Sequence, residues 1–394
     1  MFNLEAVRHQ LERAGLDGLI VTTPENFYGL TGCFPKSLIT RTTGGEAVVL
    51  SAAEREPTVV LSEHDAGSYG DRLPYRDIRT YDTWIYFERA GGGERRPAEK
   101  PEQYDSTQAM VEAVGAHGLT RGRIGIEEDL VSAATYNRIR RAIPDAELVN
   151  ATRLLYDLRS VKGPAEIGRF REAAAITEQA TQAALVLARE GVGDQELARA
   201  YKMRACELGA WLPGHCGHVN FSCGADSGAA HVAGPFPPGR LRAGEVLRLD
   251  VGILYRGVVT DFARAYLPGS PSDEWRRLHE TLLRANRRMV GSLHPGIRFC
   301  DLFQIGIEVI RRVYPQYNRG HLGHSISLGP NPEEPPFISA KETREVQAGM
   351  VLCVEAPFYI LGSGGMNIED MVVVTDTGVE ELTHLDRGPG LPAC

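Results

Sequence analysis

The segment EVLRLDVGILYRGVVTDFARAYL, residues 245–267, sets two aspartates inside apolar, β-branched flanks. Tyr255, Arg256 and Gly257 interrupt the apolar run, so the pattern predicts a β-hairpin. With Tyr255 and Arg256 as the two turn residues, Asp250 faces Asp261, their Cβ atoms about 5 Å apart. Leu249, Val251 and Ile253 point to the opposite face. A single strand aspartate is ordinarily a solvated or capping residue. Two opposed carboxylates repel and weaken the strand pair unless positive charge lies between them, and a cation is the economical source of it.

Three further residues can join that cation. His324 follows two glycines in RGHLGHSISLG, residues 319–329, where glycine lets backbone approach a site closely. Glu355 is inserted into the apolar run MVLCVEAPFYI, and Glu369 opens the Val-rich stretch of MNIEDMVVVTDTG. A buried, unpaired glutamate in such a strand would be costly. Taken together, four carboxylates and one imidazole suit Mn²⁺ or another divalent first-row ion better than a thiolate-type zinc site. Two ions about 3.5–4 Å apart would make a water nucleophilic and polarise a carbonyl, which is hydrolytic chemistry.

The elements that must position these residues divide into two halves. Residues 1–155 mix strand-like runs (LDGLIVTT, AVVLS, TVVLS, RIGIEE) with helical patterns such as LEAVRHQLERAG, and read as an α/β domain. PENFYGLTG is rich in turn formers, and residues 90–104 form a Gly-, Pro- and charge-rich surface loop. Residues 156–394 begin with a long alanine-rich helix opened by Pro164 and a second from about Asp194 to Leu208. From Val219 onward strands and turns alternate, with one more long helix at about 273–291.

A formal net charge of −8 argues against a nucleic-acid binder. The N-terminus has charges where a signal peptide needs an apolar run, so export is not expected, and no apolar run reaches the ~20 residues of a membrane span. Seven cysteines without a CxxC pair read as free thiols in a reducing compartment, so the expectation is cytoplasmic.

These segments resemble the pita-bread metallopeptidase superfamily of methionine aminopeptidase, aminopeptidase P, prolidase and the metal-free creatinase. LDGLIVTTPENFYGLTG looks like the opening of the creatinase-type N-terminal domain. LRSVKGPAEIGRFREAAAIT is similar to the linker helix, with Lys162, Glu166 and Ile167 in pattern. The series LDVG, TDFAR, GHSI, VEAPFY and NIEDMVVVT follows the metal-ligand order. The resemblance implies a creatinase-like α/β domain followed by an α+β pita-bread catalytic domain, a homodimer, and two divalent ions, manganese first with cobalt, zinc or iron as alternatives. It implies that Asp250 ligates one metal, that Asp261 and Glu369 bridge both, and that His324 and Glu355 ligate the other. Glu355 would also take the proton from the attacking water. His231, in SGAAHVAG, resembles the histidine that steadies the substrate carbonyl.

Two positions depart from the pattern. Relatives usually carry a second histidine seven residues after the metal-binding one, where this chain has Asn331, and often an arginine where it has Asn367. Neither asparagine can act as an acid or base or form a charged fork. His321 lies close enough to His324 to substitute for the missing histidine. Asn331, Asn367 and His321 are therefore the substrate-side candidates. His215 and His218 read as loop histidines, and Trp84 and Tyr86 as packing aromatics that could close a pocket. The leading expectation is an Xaa-Pro peptidase acting on a small peptide. The alternatives are an amidohydrolase of a small or cyclic metabolite on the same fold, and an inactive binding module.

Overall fold

The computed structural model describes residues 2–35, 38, 45–53, 55–85, 105–211, 219–229, 239–329 and 331–391. The chain forms two compact units, Met1–Leu158 and Arg159–Cys394.

In the first unit, six strands form one sheet: β1 (Gly18–Val21), β2 (Ala47–Ser51), β3 (Thr58–Ser62), β4 (Ile78–Tyr81), β5 (Arg123–Ile126) and β6 (Glu147–Asn150). Their order is β4-β3-β2-β1-β5-β6. The antiparallel β1–β2 and β2–β3 pairs lie within otherwise parallel neighbours. The near-continuous apolar runs of β1 to β3 are buried on both faces, as a helix-covered sheet requires. PENFYGLTG is not a turn. It folds as the helix Pro24–Thr31, with proline in its first turn and Gly32 closing it at φ 71°. Its turn formers are the start and stop signals of a short helix.

In the second unit, helices Pro164–Leu185 and Asp194–Glu207 precede twelve strands among the described residues. These are β7 (Val219–Cys223), β8 (Leu247–Val251), β9 (Leu254–Tyr255), β10 (Val258–Val259), β11 (Phe262–Tyr266), β12 (His321–Ser325), β13 (Glu334–Ser339), β14 (Val351–Glu355), β15 (Phe358–Ile360), β16 (Gly364–Met366), β17 (Glu369–Val374) and β18 (Val379–Glu381). One sheet runs β11-β8-β7 and another β13-β12-β14-β17-β18.

Helices Asp273–Val290 and Phe299–Arg311 share one apolar core with strand residues such as Leu322, Leu352, Val354 and Val372. Each such side chain contributes about 1.5–3 kcal/mol by leaving water. The second of these helices corrects the expectation of a single long helix after Val219. Phe299, Leu302, Phe303, Gly306, Ile307 and Ile310 recur at helical spacing, but the β-branched residues between them imitate a strand.

Candidate metal centre

The hairpin bearing the two aspartates turns one residue later than expected. Its turn residues are Arg256 and Gly257, at φ 45° and 86°, the left-handed pair that a tight two-residue hairpin needs. The ladder therefore pairs Tyr255 with Val258 and Asp250 with Ala263, not with Asp261. Asp261 lies two residues before Ala263 and so shares Asp250's face as its diagonal neighbour. The carboxylates still converge: single oxygens of Asp250, Asp261 and Glu369 all lie within 4.8 Å of one another.

His324 and the glutamates come from the neighbouring sheet. Gly323, at φ 140°, precedes the histidine, and a Cβ there would collide with the Cys353 carbonyl. Only glycine allows β12 this approach to β14, where His324 pairs with Cys353. The His324 Nδ1–H donates to the Ser325 carbonyl at 3.1 Å, which leaves Nε2 as the ring nitrogen that faces the carboxylates. Nε2 points at Asp261 Oδ2, 3.7 Å away, and Glu369 Oε1, 3.5 Å away. Alternation along β14 sends Leu352 and Val354 to the helical core and Cys353 and Glu355 to the other face. Glu355 pairs directly with Glu369 on β17.

The charge of this cluster is only partly balanced by the protein. Burial pulls the His324 imidazole down, but contact with Glu369 and the charges of Asp261 and Glu355 override it and raise it to about 10. Burial and the charge of Asp261 hold the Glu369 carboxyl well above its ordinary range. Burial also raises Glu355, yet His321 and Arg319 beside it win and lower it to about 2. Glu369 Oε1 is buried and accepts no hydrogen bond among the described residues. A buried carboxylate oxygen without a donor is costly, and a divalent cation supplies what it lacks. The gathered donors, oxygens of Asp250, Asp261 and Glu369 with a nitrogen of His324, therefore fit a divalent metal ion, and Glu355 stands beside them on β14.

Other candidates lie at varying distances from this cluster. Asn367 sits between the two glutamates, its Nδ2 donating to Glu355 Oε2 at 3.3 Å and Glu369 Oε2 at 3.2 Å. His321 Nδ1 is 3.2 Å from Glu355 Oε1. Asn331 is exposed and bonded into its own turn, donating to the Glu333 carbonyl at 2.8 Å. Trp84 is half exposed in the first unit. His231, His215, His218, Tyr86 and the loop 90–104 lie outside the described residues.

The sequence reading missed several neighbours of the cluster. Arg319 donates to Glu355 Oε1 at 2.9 Å, and Arg248 lies 3.7 Å from Asp250 Oδ2. Arg248 carried a signal, being two residues before Asp250 on a strand and so on its face. Arg319 lies outside any strand and carried none. The Cys353 thiol, raised well above its ordinary value by burial, donates to the Asp261 carbonyl at 3.5 Å. Behind β12, the buried Lys162 ammonium donates to the Ser160 carbonyl at 3.0 Å and to Ser325 Oγ at 3.3 Å. Arg159 and Glu334 form a buried ion pair nearby.

Comparison with known proteins agrees with this layout. Residues 168–376 match the model of metallopeptidase family M24, and residues 3–161 match the creatinase/prolidase N-terminal domain. The chain is 26% identical over 385 residues to an Xaa-Pro dipeptidase of Pyrococcus furiosus, covering 98% of each chain. It is 27% identical over 305 residues to an Xaa-Pro dipeptidase of Pyrococcus horikoshii, covering 77% of this chain and 83% of that one. The fold is similar to that of an Xaa-Pro dipeptidase from Bacillus anthracis, with a TM-score of 0.79 at 23% identity and 98% of each chain covered.

Proposed function

The chain belongs to metallopeptidase family M24, and from that premise we propose that it hydrolyses the amide bond before proline in small Xaa-Pro peptides, dipeptides foremost. The observation that carries this reading is the convergence of Asp250, Asp261, His324 and Glu369, with a Glu369 oxygen that lacks a donor. The substrate class is supported by the Xaa-Pro dipeptidases to which the chain is similar along most of its length.

Bound to this cluster, divalent ions would supply an activated water and a polarised carbonyl. The protein's own groups do the rest. The His324 Nδ1–H is taken up by Ser325, so Nε2 is the nitrogen that would ligate once its proton is displaced. Glu355 is held ionised beside His321 and Arg319, and is proposed to take the proton of the attacking water and pass it to the leaving nitrogen. Asn367, joined to both glutamates, fixes the separation of the proton acceptor from its neighbour. His231 is proposed to steady the substrate carbonyl, and His321 to line the substrate side.

Manganese as the native metal, two ions per chain, a cytoplasmic location and a homodimer belong to the same proposal. The oxygen-rich donor set supports the choice of metal. Among the described residues no helix is long and apolar enough to cross a membrane.

A second reading keeps the metals but replaces the peptide with another small amide. It is favoured by Asn367, neutral where relatives often carry arginine. A panel of Xaa-Pro dipeptides, longer Xaa-Pro peptides and non-peptide amides, assayed with manganese-loaded protein, separates the two. Turnover confined to non-peptide amides would reject the peptidase reading, and no turnover of any member would reject both.

A further inference from the structure

We infer that Arg319 is a positioning residue that competes with a metal ion for Glu355, weakening the ion that Glu355 and His324 would share. The inference rests on the metal-dependent reading above.

Arg319 lies just before β12 and is fixed at two points. Its Nε donates to the His321 carbonyl at 3.0 Å and its Nη2 to Glu355 Oε1 at 2.9 Å. The same carboxylate oxygen has His321 Nδ1 3.2 Å away, and Asn367 occupies the other oxygen. Both oxygens of Glu355 are thus engaged by protein groups. Asp250, Asp261 and Glu369 bring one oxygen each within 4.8 Å of one another, and His324, Cys353 and Glu369 bring a nitrogen, a sulfur and an oxygen equally close, but Glu355 belongs to neither group. One of the expected ligands is therefore drawn aside while the others are gathered.

Charge explains the arrangement. Position 367 holds a neutral amide, so the guanidinium that balances Glu355 comes from Arg319 instead. With the pair 6% and 22% exposed, solvent screens their attraction only in part. A dication reaching Glu355 must displace that guanidinium from Oε1 or bind against its repulsion. On the other side of the cluster the situation differs. Arg248 pairs with Asp250 only at 3.7 Å and also donates to the Tyr359 hydroxyl at 3.5 Å and the Ala229 carbonyl at 3.3 Å. Arg319 therefore acts on one metal position and leaves the other nearly untouched.

The test is calorimetric titration of metal-depleted full-length protein with Mn²⁺, comparing wild type, Arg319→Gln and Arg319→Lys. The wild type should bind one ion more weakly than the other. Arg319→Gln should tighten the weaker event by roughly tenfold or more, since a full charge leaves a partly buried site, and should leave the stronger event within about twofold. Arg319→Lys, which keeps the charge, should preserve most of the wild-type separation. Equal affinities in wild type and Arg319→Gln, or a uniform shift of both events, overturn the inference while leaving the metal reading standing. A wild-type protein that binds no Mn²⁺ overturns the metal reading itself. A second event seen only in Arg319→Gln supports the competition in its strongest form. Circular dichroism of each variant excludes misfolding, and if Arg319→Gln misfolds, Arg319→Met carries the same expectation.

Discussion

Glu355 and Glu369 stand directly opposite each other across β14 and β17, and the Asn367 amide donates to both. Like charges so placed destabilise a strand pair, and the surroundings answer by driving the two apart in acidity. Glu355, beside His321 and Arg319, is depressed to about 2, whereas burial and Asp261 hold Glu369 well up. The metal-free site thus holds one carboxylate that is ionised at neutral pH and one whose ionisation a cation would favour.

Removing a ligand from the gathered side should empty the site. Asp261→Ala deletes a carboxylate that lies near Asp250, His324 and Glu369 alike. Elemental analysis after gel filtration should show clear loss of bound metal. Hydrolysis should fall by at least the ~100-fold seen at the upper end for lost outer-shell partners. Full metal content with an unchanged rate would contradict the role proposed for Asp261.

Metal binding should release protons. In the metal-free protein His324 is raised to about 10 and Glu369 is also raised, so at neutral pH the cluster holds protons that ligation must expel. Affinity for Mn²⁺ should therefore climb as pH rises from 6 toward about 9 and fall as pH drops. Calorimetry at one pH in buffers of different ionisation enthalpy measures the protons released. A value of zero would show that the imidazole is neutral before the metal binds.

How far the sequence carried the site depended on what positions each ligand. Asp250 sits in a strand whose two-residue alternation is visible in the text, and Glu355 and Glu369 stand at the edges of continuous apolar runs, so their placement among apolar neighbours was legible. The Asp250–Asp261 register was not, because Tyr255-Arg256-Gly257 allows two turns. The left-handed conformation at Arg256, unusual for a residue with a side chain, decides between them. Opposition of carboxylates was anticipated for the wrong pair: it belongs to Glu355 and Glu369, which are fourteen residues apart and joined by no tight turn. Cys353 carried the same two-residue signal as Arg248, being two residues before Glu355 on β14, whereas Arg319 and Lys162 reach the cluster's surroundings through tertiary packing that no local pattern records. The helix Phe299–Arg311 was hidden by its β-branched residues, whose propensity tertiary packing overrides.

Gly323 should tolerate no side chain. A Cβ at φ 140° is strained and would meet the Cys353 carbonyl, forcing β12 away from β14. Gly323→Ala should cost about 2–3 kcal/mol in urea denaturation of metal-free protein, within the range for backbone strain and overpacking. It should also weaken metal binding, because His324 is the next residue. An unchanged midpoint would show that the two strands part without cost.

The Arg159–Glu334 pair should be costly to break and cheap to replace. Both side chains are almost fully buried, at 2% and 3% exposed. Glu334→Gln leaves the Arg159 guanidinium without its counter-charge and should destabilise the second unit by about 3–5 kcal/mol. Arg159→Met with Glu334→Leu removes both charges and should recover much of that loss. Denaturation of wild type, Arg159→Met, Glu334→Leu and the double variant closes a cycle that measures the coupling. Additive losses would mean that the two residues act independently.

Asn331 provides the last prediction, because its surroundings bear on which amide is cleaved. The resemblance to pita-bread peptidases implies a histidine at this position, and a well-placed acid–base group contributes on the order of 10²–10⁴-fold. Here the side chain is exposed and spends its hydrogen bonds on Glu333, donating to the carbonyl at 2.8 Å and accepting from the amide at 3.4 Å. The described histidine nearer Glu355 is His321, 3.2 Å away. If His321 carries the substrate-side role, Asn331→His should raise kcat/KM for Xaa-Pro dipeptides by less than about threefold, whereas His321→Ala should lower it by on the order of 10²-fold or more. Assays of both variants at equal metal loading decide the matter. A large gain from Asn331→His, with little loss from His321→Ala, would return the role to position 331 and make its asparagine a true defect in peptide hydrolysis.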